Sequence, residues 1–136
     1  MILLLIGCDT TVSHETEVPT KTENLKERGL SAIRTGNIES YNVLSQEALL
    51  SSNPERILFY SLAFAEKHNY GKAYFDCFMV YSSYYNLGSS NELEKLMLYF
   101  LARSKECGYE FARVKLNGKF VNYEEIEASS VYGSFK

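Results

Sequence analysis

The sequence has no tryptophan, two histidines, two prolines and three cysteines among its 136 residues. So few imidazoles rule out a His-rich metal centre and nearly exclude a Ser–His–Asp triad. Neither His14 nor His68 has a cysteine, an aspartate or a second histidine at ligand spacing, so no metal site and no cofactor is expected. Three cysteines do not make a disulfide framework. Scarce proline and eight glycines exclude a collagen-like or low-complexity chain. No apolar run reaches the roughly 18–20 residues of a membrane-spanning helix. No Gly-rich phosphate loop occurs. A basic excess is missing too: the net charge of −3 argues against a dedicated nucleic-acid binder. What remains is 46% hydrophobic and 23% charged, the balance of one soluble globular domain.

The first residues carry an address. Ile2 to Ile6 are consecutively apolar, a small Gly7 follows, then Cys8 and a polar stretch rich in Thr and Glu. An apolar run ending in a small residue is the cleavage end of a secretory signal. Leu5-Ile6-Gly7-Cys8 resembles the lipobox of bacterial lipoproteins. The resemblance implies that residues 1–7 are a signal peptide and that Cys8 becomes the lipidated mature N-terminus. No Lys or Arg precedes the run, and the run is shorter than usual, as expected if translation starts further upstream. Residues 8–24 then read as a lipid-attached flexible tether, with too few large apolar groups to offset the cost of ordering. The competing reading is an apolar N-terminus packed on the domain, with Cys8 a buried thiol and the protein cytoplasmic.

From Leu25 to Leu116 the apolar spacing is helical. The first helix stops at Thr35-Gly36, and the next runs from Ile38 to about Leu49. Asn53 and Pro54 stand as N-cap and N1 of a third, which ends at Lys67-His68-Asn69 with its basic residues in the last turn. A fourth spans about Tyr70 to Asn86. Ser89 and Glu92 are spaced as a capping box for a fifth, which ends at Glu106-Cys107-Gly108. A final short helix, Tyr109 to Leu116, is favoured over a hairpin turning at Asn117-Gly118, because the apolar spacing before Asn117 is three to four. Residues 117–136 are expected to be a C-terminal tail that caps the last pair, with Glu124, Glu125 and Glu127 a solvated face.

The junctions repeat. Four residues before Gly36, Asn69 and Gly108 stand Ala32, Ala65 and Ser104; four after stand Ser40, Ala73 and Ala112; eight after stand Leu44, Cys77 and Leu116. The junctions lie about 33 and 39 residues apart, bracketing the ~34-residue period of tetratricopeptide arrays. Small residues beside a tight turn let antiparallel helices approach, and apolar residues further out fill the seam. This pattern, with the stretch KLMLYFLARSKECGYEFARVKL from Lys95 to Leu116, looks like the Sel1-like branch of the tetratricopeptide-like family. The fold the resemblance implies is all-α. Five to six helices in antiparallel pairs would stack as a short right-handed superhelix over residues 25–116. A plain helix bundle is the alternative.

The fourth helix is the most aromatic segment, with Tyr74, Phe78, Tyr81 and Tyr85 on one stripe. Such a helix is expected at the centre, with neighbours on two sides. These rings read as core, with hydroxyls reaching the surface. As a functional reading, Tyr41, Tyr74, Tyr81, Tyr85 and Tyr99 line an interaction groove, because tyrosine gives large contact area at low entropy cost. Cys77 and Cys107 are expected to stay unpaired, about 10 Å apart in level along neighbouring helices.

These readings combine into a non-catalytic protein–protein interaction module, membrane-tethered through Cys8 in the bacterial cell envelope. Its partner is another protein, with no nucleic acid and no small-molecule substrate expected. The alternative is a small inhibitor or immunity-type protein that blocks one enzyme.

Overall fold

The computed structural model describes residues 21–85, 90–110, 113–116 and 119–122. Among them five α-helices run in chain order: α1 (Lys21–Thr35), α2 (Ile38–Leu49), α3 (Leu58–His68), α4 (Gly71–Tyr85) and α5 (Asn91–Glu106). A 3-10 turn, Pro54–Ile57, leads into α3. Sequential helices pack as antiparallel neighbours, α1 on α2, α3 on α4 and α4 on α5, and the fold is all-α. α1 begins inside the stretch expected to be tether; residues 1–20, with Cys8, lie outside the described residues.

The helix ends follow from local chemistry. Gly36 closes α1 at φ +69°, Asn69 closes α3 at φ 50° and Gly108 follows α5 at φ +79°. All three aligned junction residues thus adopt the left-handed backbone that glycine and asparagine tolerate. The Asn37 side chain caps α2 by accepting from Ser40 N–H at 2.9 Å. Ser90, rather than Ser89, caps α5, accepting from Leu93 N–H at 3.2 Å. Asn53 makes no side-chain cap bond to the turn it precedes. Its amide nitrogen instead faces the Glu55 carboxylate.

The final helix expected over Tyr109–Leu116 does not form. Arg113–Leu116 is a strand, β1, paired antiparallel with β2, Lys119–Asn122, in the register Val114 opposite Val121. The Asn117-Gly118 pair lies between them, so the turn signal prevails over the helical spacing upstream. The helix expected to pair with α5 is therefore replaced by strand at Arg113–Leu116.

The core is largely aromatic and centres on α4, which contacts α2, α3 and α5. One cluster joins Tyr41, Phe64, Tyr74, Phe78, Met97, Phe100 and Leu101 to the small residues Ala32, Ala65, Ala73 and Cys77. A second joins Leu44, Ala48, Ile57 and Val80. The small residues Ala32, Ala65, Ala73 and Ser104 at the aligned junction positions are all buried. Ser40 is exposed, so the first unit departs from the pattern there. At two glycines a neighbouring element leaves no room for a side chain. A Cβ on Gly29 would strike the Tyr60 ring, and one on Gly71 would lie 2.6 Å from the Ser104 carbonyl oxygen. Cys77 and Cys107 are free thiols.

Candidate functional site

Of the five tyrosines expected to line a groove, the structure buries two. Tyr41 and Tyr74 are fully enclosed, so neither presents a binding surface. The reason is their register. Tyr41 stacks on Phe64 at 4.4 Å with Tyr70 edge-on at 5.9 Å, and Tyr74 sits on the α4 face turned to α5. Tyr81 is half-buried, stacked on Phe100 at 5.6 Å, and Tyr99 is half-buried with its ring tilted on the same Phe100. These four rings are dispersed through the α4–α5 seam and the core rather than gathered at one opening. The Tyr85 side chain lies outside the described residues.

Tyr74 holds a polar station at the rim of that seam. Its hydroxyl donates to Glu66 Oε1 at 2.8 Å and accepts from Arg103 at 3.2 Å, and the Arg103 guanidinium lies 5.1 Å from its ring centre. Arg103 also bonds Glu106 at 2.7 Å. Burial pushes the Tyr74 phenol up to about 12; the Arg103 bond opposes the shift and Glu66 adds to it.

The densest polar chemistry is internal, and apart from the one-turn spacing of Lys72 and Asp76 the ties of Asp76 span more than thirty residues. Asp76, on α4, is 2% exposed. Its Oδ2 accepts from Tyr41 at 2.8 Å and from Ser45 at 2.6 Å, and Lys72 Nζ lies at 2.9 Å, one turn earlier. Because the Tyr41 proton is committed to the carboxylate, Ser61 donates to the Tyr41 oxygen at 2.8 Å. Burial, then the Asp76 charge, hold the Tyr41 phenol well above its ordinary value, so it stays a donor. Ser45 and Lys72 approach to 3.4 Å, but the Ser45 hydroxyl is wholly enclosed and its proton is given to Asp76. Every member satisfies another, so the cluster is a structural tie between α2, α3 and α4.

His68 does comparable work at the surface. Its Nε2 lies 2.7 Å from the Ile33 carbonyl, an acceptor only, so this nitrogen carries the proton. The ring lies against Gly36 and tilts on Phe64 at 4.7 Å. One α3 residue therefore covers an open carbonyl at the end of α1.

Two features face solvent. On α3, Phe59 and Leu62, one turn apart, point outward, and Phe59 is 65% exposed with Tyr60 edge-on at 5.3 Å. Between α1, the end of α2 and the 3-10 turn lies a half-open cavity of about 720 Å³. Leu25 and Ala48 give it apolar wall, while Asn24, Ser52 and Asn53 give it amides and a hydroxyl. Arg28 forks onto Glu47 at 2.7 and 3.3 Å on its rim, and Arg56 is its other cation.

No group of three or more His, Cys, Asp and Glu side chains is placed to hold a metal ion among the described residues. Nor is any described helix long and apolar enough to cross a membrane. No protein-family model, curated protein or solved structure matches the chain.

Proposed function

We propose that this protein is a non-catalytic protein–protein interaction module, held at the bacterial cell envelope by a lipid on Cys8. Its scaffold is a short Sel1-like array of helix pairs. The three left-handed junctions at aligned positions and the buried small residues before them support the repeat reading. The observation that carries the interaction reading is the outer face of α3. Folding leaves Phe59 at 65% and Leu62 at 39% exposure, side by side at one-turn spacing. Large apolar groups displayed together mark a surface whose hydration is relieved by a partner. Aromatic anchors of this kind dominate interface energetics.

The test uses the full chain in a bacterial host. Wild-type protein is expected to take up radiolabelled palmitate and sediment with membranes, and Cys8→Ser to do neither. Cross-linking from the surface is expected to capture one reproducible partner, and the double variant Phe59→Ser, Leu62→Ser to lose it with unchanged helical circular dichroism. A wild-type protein that is unlabelled and remains in the soluble fraction would sink the envelope assignment. Undiminished capture by the double variant would sink the α3 surface.

A further inference from the structure

We infer that the groove between α1 and α2 is a docking site for an amphipathic helix of another protein, one that offers an aromatic ring and, four residues later, a lysine or arginine. The aligned junctions show what such a seat takes. Five residues after each of the first two stands a tyrosine, Tyr41 after Gly36 and Tyr74 after Asn69. Each ring rests on the residue five before the next junction. Tyr41 stacks on Phe64 at 4.4 Å, and the Tyr74 ring lies 5.1 Å from the Arg103 guanidinium. The same position ahead of Gly36 is Ser31, and it is exposed.

A recess of about 370 Å³ lies there. Its lining residues, moved on by the 33 residues from Gly36 to Asn69, become the seat that Tyr41 fills. Ala32 and Ser40 correspond to Ala65 and Ala73, Arg28 and Ser31 to Ser61 and Phe64, and Glu39 and Val43 to Lys72 and Asp76. In the filled seat all but Lys72 are buried; in the recess only Ala32 is. The end unit of a helical array is either covered or made polar. Ser31 and Ser40 suit a polar cap, but Val43 does not: it stands 46% exposed where the filled seat holds Asp76.

The exchanges define the guest. Asp76 accepts the Tyr41 hydroxyl at 2.8 Å, whereas Val43 offers methyl groups, which favours phenylalanine over tyrosine. Ser31 in place of Phe64 leaves the ring room. In the filled seat Lys72 reaches Ser45, four residues after Tyr41, at 3.4 Å. Glu39 takes the place of Lys72 in the recess and makes no ion pair among the described residues. A cation one turn after the ring therefore meets Glu39. This chain does not carry that helix. Residues 1–20 hold no Phe, Tyr, Lys or Arg, and neither exposed helical ring, Phe59 nor Tyr84, has a basic residue four places on. The inference rests on the repeat reading proposed above, but not on Cys8 or the outer face of α3, whose tests do not touch this groove.

The experiment titrates the nitrogen-15-labelled full chain with a peptide copied from Ile38–Leu49, carrying Tyr41→Phe and Ser45→Lys and stapled on its far side to hold it helical. Saturable amide shifts are expected at Ser31, Ser40 and Val43 of the chain and not at Phe59. The same peptide with Tyr41→Ala should bind about tenfold more weakly, the loss of one aromatic anchor. Ser40→Leu in the chain should abolish binding by filling the recess, with circular dichroism unchanged. Glu39→Gln in the chain, a milder change, should weaken the lysine peptide about threefold and leave a peptide that keeps Ser45 unaffected. The inference is overturned if no saturable shift appears at these residues, if the ringless peptide binds as tightly, or if neither chain variant weakens binding. Shifts of the same amides on dilution of the chain alone would place a second copy in the groove and overturn the assignment to another protein.

Discussion

Asp76 is a single side chain on which three helices depend. Removing it as Asp76→Ala leaves the Tyr41 and Ser45 hydroxyls buried without their acceptor and Lys72 without its counterion. The expected loss is about 3 kcal/mol, read from the urea midpoint. Lys72→Met should cost clearly less, because Lys72 is a quarter exposed and Asp76 keeps both hydroxyl donors. Its neighbour Cys77 gives a signature in pH. Burial, then the Asp76 charge, push this thiol from 9.0 to about 12. The folded state therefore holds the proton where the unfolded chain has released it. The thiol's contribution to stability is complete below pH 9 and falls away as pH rises toward 12. Urea midpoints across that range should decline less in Cys77→Ala than in wild type, and a thiol reagent should modify Cys77 only on unfolding.

At the scale of elements, the helices meet through backbone contacts that small residues permit. Gly71→Ala would set a methyl 2.6 Å from the Ser104 carbonyl and 2.7 Å from Tyr109 Cβ, where backbone has to move. We expect a loss of about 1–3 kcal/mol, and a similar loss for Ala73→Leu in the buried seam. Gly108→Ala meets nothing within 4 Å, so its cost is the left-handed backbone alone, about 1 kcal/mol. Thermal melts of the three variants in parallel would order them so. Much of this level is legible in the sequence, because the helix stops at Gly36, Asn69 and Gly108 are set by local chemistry. The central place of α4 is legible from its aromatic circumference. The failures arise where tertiary context decides. The spacing before Asn117 reads as helix, yet Arg113–Leu116 pairs antiparallel with Lys119–Asn122. Tyr41 and Tyr74 read as core in the first place and as groove only in the functional reading, and packing chooses the core. The ties of Asp76 to Tyr41 and Ser45 span more than thirty residues, and no short-range pattern announces them. The Arg56 cavity assembles from three separate segments and is likewise silent in the sequence.

The whole molecule is organised around α4, with the small hairpin joined to the main core through Val121. A two-stranded ribbon is marginal by itself. Amide hydrogen exchange should therefore show β1 and β2 opening well before α4, whose amides should exchange only with global unfolding. Equal protection of both would show that the hairpin is integral to the cooperative unit. The placement of the Asp76 carboxylate also sets an order in time. A ribosome delivers Tyr41, Ser45 and Ser61 before Asp76, and Leu44 before Val80. Until α4 leaves the exit tunnel, α2 and α3 have neither the acceptor for their buried hydroxyls nor the far wall of their apolar cluster. The nascent N-terminal half waits, incomplete, for its fourth helix, and a chain stalled before Asp76 is expected to be cut by proteases faster than the full chain.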